Sequence, residues 1–313
     1  MARPVIEVSY AQVAFVLLVA LAIALNSGTQ HLASSIITGL ATSQNPATSA
    51  TITNAAPTAG NCYVPASLTL TADGNATGYC NCSVSDANGY SDIVAANATM
   101  SNNTIALTGA SNQYTRQVNQ TCTKVGGSGN NLWVNCTFQM TYYSVPGSWR
   151  CQMMVNDSSG NQLNITTNVT HAGGNMSVLG LVGMTIDPTS VAYGSIAAGS
   201  NGSGVLVNVS NVGNVQIDEK LEAGNLTNSS ALGAGLPADF INVTNQWYCW
   251  NSSFTTPNTY QFTNVSTFNT SFNLAPTTTG AVVNQSAFFK LEVPTGKASG
   301  SYTGLILISA QEG

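Results

Sequence analysis

Asparagine is the residue whose spacing carries most chemistry in this chain of 313 residues. Asn-x-Ser/Thr triplets stand at Asn75, Asn81, Asn97, Asn102, Asn119, Asn135, Asn156, Asn164, Asn168, Asn175, Asn201, Asn208, Asn225, Asn228, Asn242, Asn251, Asn264, Asn269 and Asn284. A hydroxyl two residues after an amide is the acceptor pattern for N-linked glycan. Asn, Ser and Thr are abundant enough to generate several triplets by chance. The run nevertheless starts well inside the chain and continues almost to its end, so the whole body is expected on the glycosylating side of a membrane. N-linked glycans are the expected covalent additions, with no other cofactor.

Six of the seven cysteines, Cys62, Cys80, Cys82, Cys122, Cys136 and Cys151, fall in one block of the chain, and Cys249 stands apart. In an extracellular setting six cysteines make three disulfides, with fifteen possible connectivities. Cys80-x-Cys82 is not a Cys-x-x-Cys zinc knuckle, and neither histidine, His31 or His171, is near it in sequence. Cys249 reads as a buried thiol or an intermolecular bridge, the former preferred.

Three further groups have residue types that could do chemistry. Asp86-Ala-Asn-Gly-Tyr-Ser-Asp92 alternates hard oxygen ligands around a turn glycine, as a small calcium loop would. It lacks the later ligands of an EF-hand, and an ordinary turn is the preferred reading, so no metal is expected. Trp247 and Trp250 could stack sugars, but filling a core is preferred. No Gly-x-Ser-x-Gly, His-Glu-x-x-His or phosphate-loop pattern occurs. Seven Lys plus Arg, scattered, leave no nucleic-acid footprint. The expectation is no enzyme, no catalytic residue and no nucleic-acid partner.

Composition sets the surface. Charged residues are only 6% and the net charge is −5, against about 25% charged residues in ordinary domains. The exterior must therefore be built from amides and hydroxyls, and a glycan coat would keep such a surface soluble.

The elements that must position these groups begin with Tyr10–Leu25, an uncharged apolar run. Read as part of a helix from about Pro4 to about Leu40, it forms a rod about 55 Å long. A cleaved secretory signal and a retained membrane anchor are its alternative readings. Residues 41–60 read as a linker in which Thr51-Ile52-Thr53 could be a strand donated to a neighbour's sheet. Residues 61–172 alternate with period two around Ser67–Thr71, Ile105–Thr108, Leu132–Met140 and Trp149–Val155. Asp73-Gly74, Asn88-Gly89, Gly126-Gly127 and Pro146-Gly147 are expected turns between them. Residues 173–313 make a second such module.

The lone Glu7 before an uninterrupted apolar helix and a β-rich body resembles a type IV pilin or archaellin. Tyr142–Gly160, Met184–Ser200, Val205–Asn214 and Phe288–Ala310 resemble Ig-like domains of archaeal and bacterial envelope proteins. Together these imply a mainly β protein with a long hydrophobic N-terminal helix and two Ig-like sandwiches. The expected function is the structural subunit of a glycosylated extracellular filament. Its polymer core would be Tyr10, Val13, Phe15, Leu17, Leu18, Leu21 and Leu25, and its partners copies of itself, with the membrane before assembly. Other cells or surfaces are further candidate partners. The alternatives are a membrane-anchored adhesin and a donor-strand filament lacking the N-terminus.

Overall fold

A computed structural model describes residues 49–167, 174–228, 239–250, 254, 259–263 and 268–313. The described chain is all β. Its helical elements are two single 3-10 turns, Tyr90–Asp92 and Val243–Asn245, and no described helix is long and apolar enough to cross a membrane. This corrects the expected fold class of a β protein led by a long helix. The polymer-core residues Tyr10, Val13, Phe15, Leu17, Leu18, Leu21 and Leu25 lie outside the described residues, as do both histidines.

The first ten strands are β1 (Thr58–Tyr63), β2 (Ser67–Leu68), β3 (Asn75–Ser85), β4 (Ile93–Asn102), β5 (Arg116–Asn119), β6 (Thr123–Ser128), β7 (Asn131–Thr141), β8 (Gly147–Asp157), β9 (Gln162–Thr166) and β10 (Met176–Val178). They form one sheet ordered β1-β3-β7-β6 and another ordered β2-β10-β8-β4-β5, with β9 also on β8. Strict alternation explains the packing. Along β7 Leu132, Val134, Cys136, Phe138 and Met140 point inward, and along β8 Trp149, Cys151, Met153 and Val155 do. Trp149 is fully enclosed and its indole N–H donates to the Val145 carbonyl at 2.9 Å, so the ring is buried without stranding a donor.

Two local expectations fail for physical reasons. Gly126-Gly127 is no turn; it sits inside β6, where the register with β7 shifts between Lys124 and Gly126. Glycine there permits a bulge, with Gly126 at φ +148°. Ile105–Thr108 is not a strand, because β4 ends at Asn102 and the chain turns away.

The remaining strands are β11 (Met184–Asp187), β12 (Val205–Asn211), β13 (Ile217–Ala223), β14 (Leu226–Asn228), β15 (Asp239–Ile241), β16 (Gln246–Trp250), β17 (Thr259–Gln261), β18 (Phe268–Leu274), β19 (Val283–Leu291) and β20 (Ile306–Glu312). One sheet runs β11-β12-β19-β16-β17, a second β18-β13-β20, and β14 and β15 pair separately. Val207, Val209, Ile217, Phe262, Ala287 and Phe289 form their shared core. Trp250 is buried in it and Trp247 half-buried, in line with the core-filling reading of this pair.

Residues 54–313 cluster as one compact unit. The join between its two cores is built on the Asn211-Val-Gly-Asn214 turn. Asn214 Nδ2 donates to the carbonyls of Ser144 (2.9 Å) and Leu179 (3.0 Å), and its Oδ1 accepts from Leu181 N at 2.6 Å. Asn211 Nδ2 bonds the carbonyls of Val215 and Leu274. Tyr142, Tyr143 and Val212 pack over the same turn. A Cβ on Gly213 would meet the Leu181 carbonyl oxygen at 2.0 Å, so only glycine permits this approach. Strand β10, in sequence beyond residue 172, pairs with β8 and β2 and buries Met176 and Val178 in the first core.

Candidate functional site

The three disulfides join Cys62 to Cys82, Cys80 to Cys151 and Cys122 to Cys136. Cys62–Cys82 staples β1 to β3 and Cys122–Cys136 ties the residue before β6 to β7, whereas Cys80–Cys151 crosses between the sheets. Cys249 is buried outside these bridges, and burial pushes its thiol pKa up.

The acceptor asparagines follow strand geometry. In Asn81-Cys-Ser, Asn97-Ala-Thr, Asn135-Cys-Thr, Asn164-Ile-Thr, Asn175-Met-Ser and Asn208-Val-Ser the middle residue is buried and the flanking residues share the outer face. Asn75, Asn156, Asn201, Asn225, Asn242 and Asn284 also keep at least partial exposure. Two others do not. Asn102 is 5% exposed, its Oδ1 held by Thr104, and Asn228 is 3% exposed; a glycan on either is incompatible with this packing. Asn119 is half-buried with Nδ2 donated to the Thr137 carbonyl. Asn168, Asn251 and Asn264 lie outside the described residues, and Asn269 is described only as backbone of β18.

A well-formed opening lies along the second core. A groove of about 920 Å³ runs between residues 188–198 and 298–308, floored by Val207, Leu226, Ile241 and Leu291. One wall is β20. It pairs with β13 on one side and ends its sheet on the other. Its inward residues Ile306 and Ile308 stay half-exposed, and Leu305 and Leu307 are 69% and 45% exposed. The opposite wall, Val191, Tyr193 and Ile196, takes part in no strand ladder. Burial pushes the Tyr193 phenol pKa far up, and its hydroxyl donates to Gln246 Oε1 at 3.4 Å.

One end of the groove is fixed by Asp239. Its carboxylate takes the Tyr302 hydroxyl, Lys297 Nζ at 2.9 Å and the Ala298 amide at 3.1 Å. Those contacts hold its pKa well below the usual carboxylate range, the Tyr302 bond contributing most. A sheet edge with bare backbone beside an apolar slot is the geometry that accepts an added strand.

A second surface lies on the outer face of β1, β3 and β7. Tyr63 and Trp133, 44% and 39% exposed, stack with ring centroids 6.0 Å apart, and Tyr79 is exposed on the same face. Asn81 lies opposite Tyr63 and pairs with Asn135, two residues along β7 from Trp133. The sequence offers Trp247 and Trp250 as a sugar-stacking pair, with core filling the preferred reading. The exposed pair is elsewhere because its members are distant in sequence and meet only through β1-β3-β7 pairing.

No family model matches the chain, and no curated protein matches it. Three solved structures show low similarity. One is from a study titled for a chaperone–tip adhesin complex in CFA/I fimbriae biogenesis, at 9% identity and TM-score 0.29, covering 81% of this chain and 80% of that one. The C-terminal domain of the antigen I/II polypeptide BspA of Streptococcus agalactiae gives 10% and 0.19, covering 82% and 96%. That of the antigen I/II-family protein AspA of Streptococcus pyogenes gives 7% and 0.20, covering 82% and 95%. At these scores the similarities carry no argument. Nothing in these comparisons shows a type IV pilin or an archaeal protein.

Proposed function

We propose that the chain is a surface-displayed, glycosylated structural protein that assembles with copies of itself through strand addition at the β20 edge. The carrying observation is the unfinished second sandwich, whose half-exposed Ile306 and Ile308 face a groove that no described strand fills. The proposed occupant is Thr51-Ile52-Thr53 of a second copy. Three consecutive β-branched residues favour an extended chain, and Ile52 is 85% exposed with no core of its own. Main-chain bonds to β20 would supply affinity, and Ile52 would supply the side chain that enters the slot. Extracellular placement is supported by the disulfides and by the outward-facing acceptor asparagines.

The test is electron microscopy and size-exclusion chromatography of the full chain and of Ile52→Asp. The variant is expected to lose the assembled species while keeping the wild-type melting temperature of its monomer. Assemblies of unchanged size and yield would overturn the strand-donor reading.

A second reading, an adhesin that binds sugar, is favoured by the Tyr63–Trp133 pair. The flanking acceptors Asn81 and Asn135 weigh against it, since glycans there would cover the same rings. Glycan binding by the monomer that disappears in Trp133→Ala would establish it.

A further inference from the structure

The sequence loop Asp86–Asp92 gains a third acid in the fold. Asp86 follows β3, Asp92 ends the 3-10 turn, and Asp157 closes β8 directly opposite Ile93. One carboxylate oxygen from each lies within 4.8 Å of the others. Asp86 and Asp157 are 1% and 2% exposed. The ion pairs of the described residues, Lys220–Glu222, Lys290–Glu292 and Lys297–Asp239, all lie in the second sandwich. The Lys124 ammonium donates to the carbonyl of Ile93, the residue after Asp92.

Hydrogen bonding divides the three acids. Asp157 is saturated: Oδ1 takes the amides of Ser159 (2.9 Å) and Asn161 (2.8 Å), and Oδ2 takes the side-chain amides of Asn161 and Asn54, both at 2.8 Å. Burial raises its pKa, but these bonds outweigh burial and leave it below the ordinary carboxylate value. Asp86 Oδ1 takes the Asn88 amide at 2.8 Å, and Asp92 Oδ1 takes the Ser158 hydroxyl. Asp86 Oδ2 and Asp92 Oδ2 are buried and have no hydrogen-bond partner.

A buried, undonated carboxylate oxygen facing two further carboxylates is costly unless a cation offsets it. We infer that Asp86, Asp92 and Asp157 form a Ca²⁺ site. The directly ligating oxygens are Asp86 Oδ2 and Asp92 Oδ2, and Asp157 supplies the third negative charge. Hard carboxylate oxygens suit this ion, and a separation under 4.8 Å is what one Ca²⁺ spans with ligands at about 2.3–2.6 Å. The site would also fix the start of the body. Asn54 bonds Asp157, and the Ala55 amide bonds Asn88 Oδ1 at 2.7 Å, so ordering the cluster orders the chain at its junction with Thr51–Thr53.

The experiment is thermal melting of the full chain in EDTA and in 10 mM CaCl₂, with Asp92→Asn in parallel. With a dissociation constant of about 0.1 mM, as in extracellular modules, the wild-type Tm is expected to rise by about 5 °C. Asp92→Asn is expected to lose most of that shift, yet to melt at or above wild type in EDTA, because it removes repulsion. This reversal of sign separates a cation site from an acidic cluster that merely tolerates its charge. No calcium-dependent shift in the wild type, or an undiminished shift in Asp92→Asn, would overturn the assignment.

Discussion

The two cores of this chain solve the same packing problem in opposite ways. The first is sealed by burial: Trp149 and the inward β3, β7 and β8 side chains pack together out of solvent, and three disulfides lock it. The second has no disulfide among its described residues, exposes Ile306 and Ile308 in a groove, and buries an acid, Glu219, at 1% exposure. A sealed sandwich is finished as a monomer. An open one leaves apolar surface that an added strand would cover, so the contrast places rigidity in the first core and, under the proposed assembly, the docking edge in the second.

Glu219 offers the strongest way to sharpen this contrast. Both its carboxylate oxygens are buried without a hydrogen-bond partner, and burial pushes its pKa up to about 9. The folded state therefore holds a proton that the unfolded state releases near pH 4.5. Stability is full below that pH, declines as pH rises toward 9, and is level above it. The slope is about 1.4 kcal/mol per pH unit, on the order of 5 kcal/mol over the window. Chemical denaturation at pH 5, 7 and 9, followed by tryptophan emission, should show the decline. Glu219→Gln should flatten it, and an equal slope in both proteins would remove the buried acid as the cause.

Next in size is the inter-sheet bridge. Cys80 and Cys151 are separated by 71 residues, and loop-closure entropy of that length corresponds to about 4 kcal/mol. Cys80→Ala/Cys151→Ala should lower the unfolding free energy from chemical denaturation by about that amount and leave the Glu219 pH dependence untouched. Loss of the pH dependence would show that the two cores are not independently controlled.

Much of the first core was legible, because period-two alternation survives in any single long strand: β7 and β8 are readable residue by residue. The number of disulfides was legible too, although Cys80 faces Cys136 in register and still bonds Cys151 across the sandwich. What failed was anything assembled from strands distant in sequence. Asp157 joins Asp86 and Asp92, and Trp133 joins Tyr63, only through strand pairing that no local pattern encodes. Met176-Ser-Val gives too short an alternation to reveal that β10 belongs to the first core. The groove was illegible for a different reason: β20 reads as an ordinary strand, and a missing neighbour leaves no mark in sequence.

The smallest expected effect concerns the join. Asn214 offers both ends of its amide to the first sandwich side of the turn, satisfying Ser144 O, Leu179 O and Leu181 N. Asn214→Ala strands these groups in a buried setting, at about 1–3 kcal/mol for an unsatisfied polar group. Neither core loses a side chain of its own, so both sandwiches should remain folded while the link between them loosens. Hydrogen exchange should therefore quicken at Leu181, whose amide loses its acceptor, and stay slow in β7 and β19. Slow exchange at Leu181 in the variant would mean that Tyr142, Tyr143 and Val212 hold the join by apolar packing alone. The two cores would then be fused rather than clasped, and a strand captured at β20 would transmit its ordering directly to the sealed sandwich.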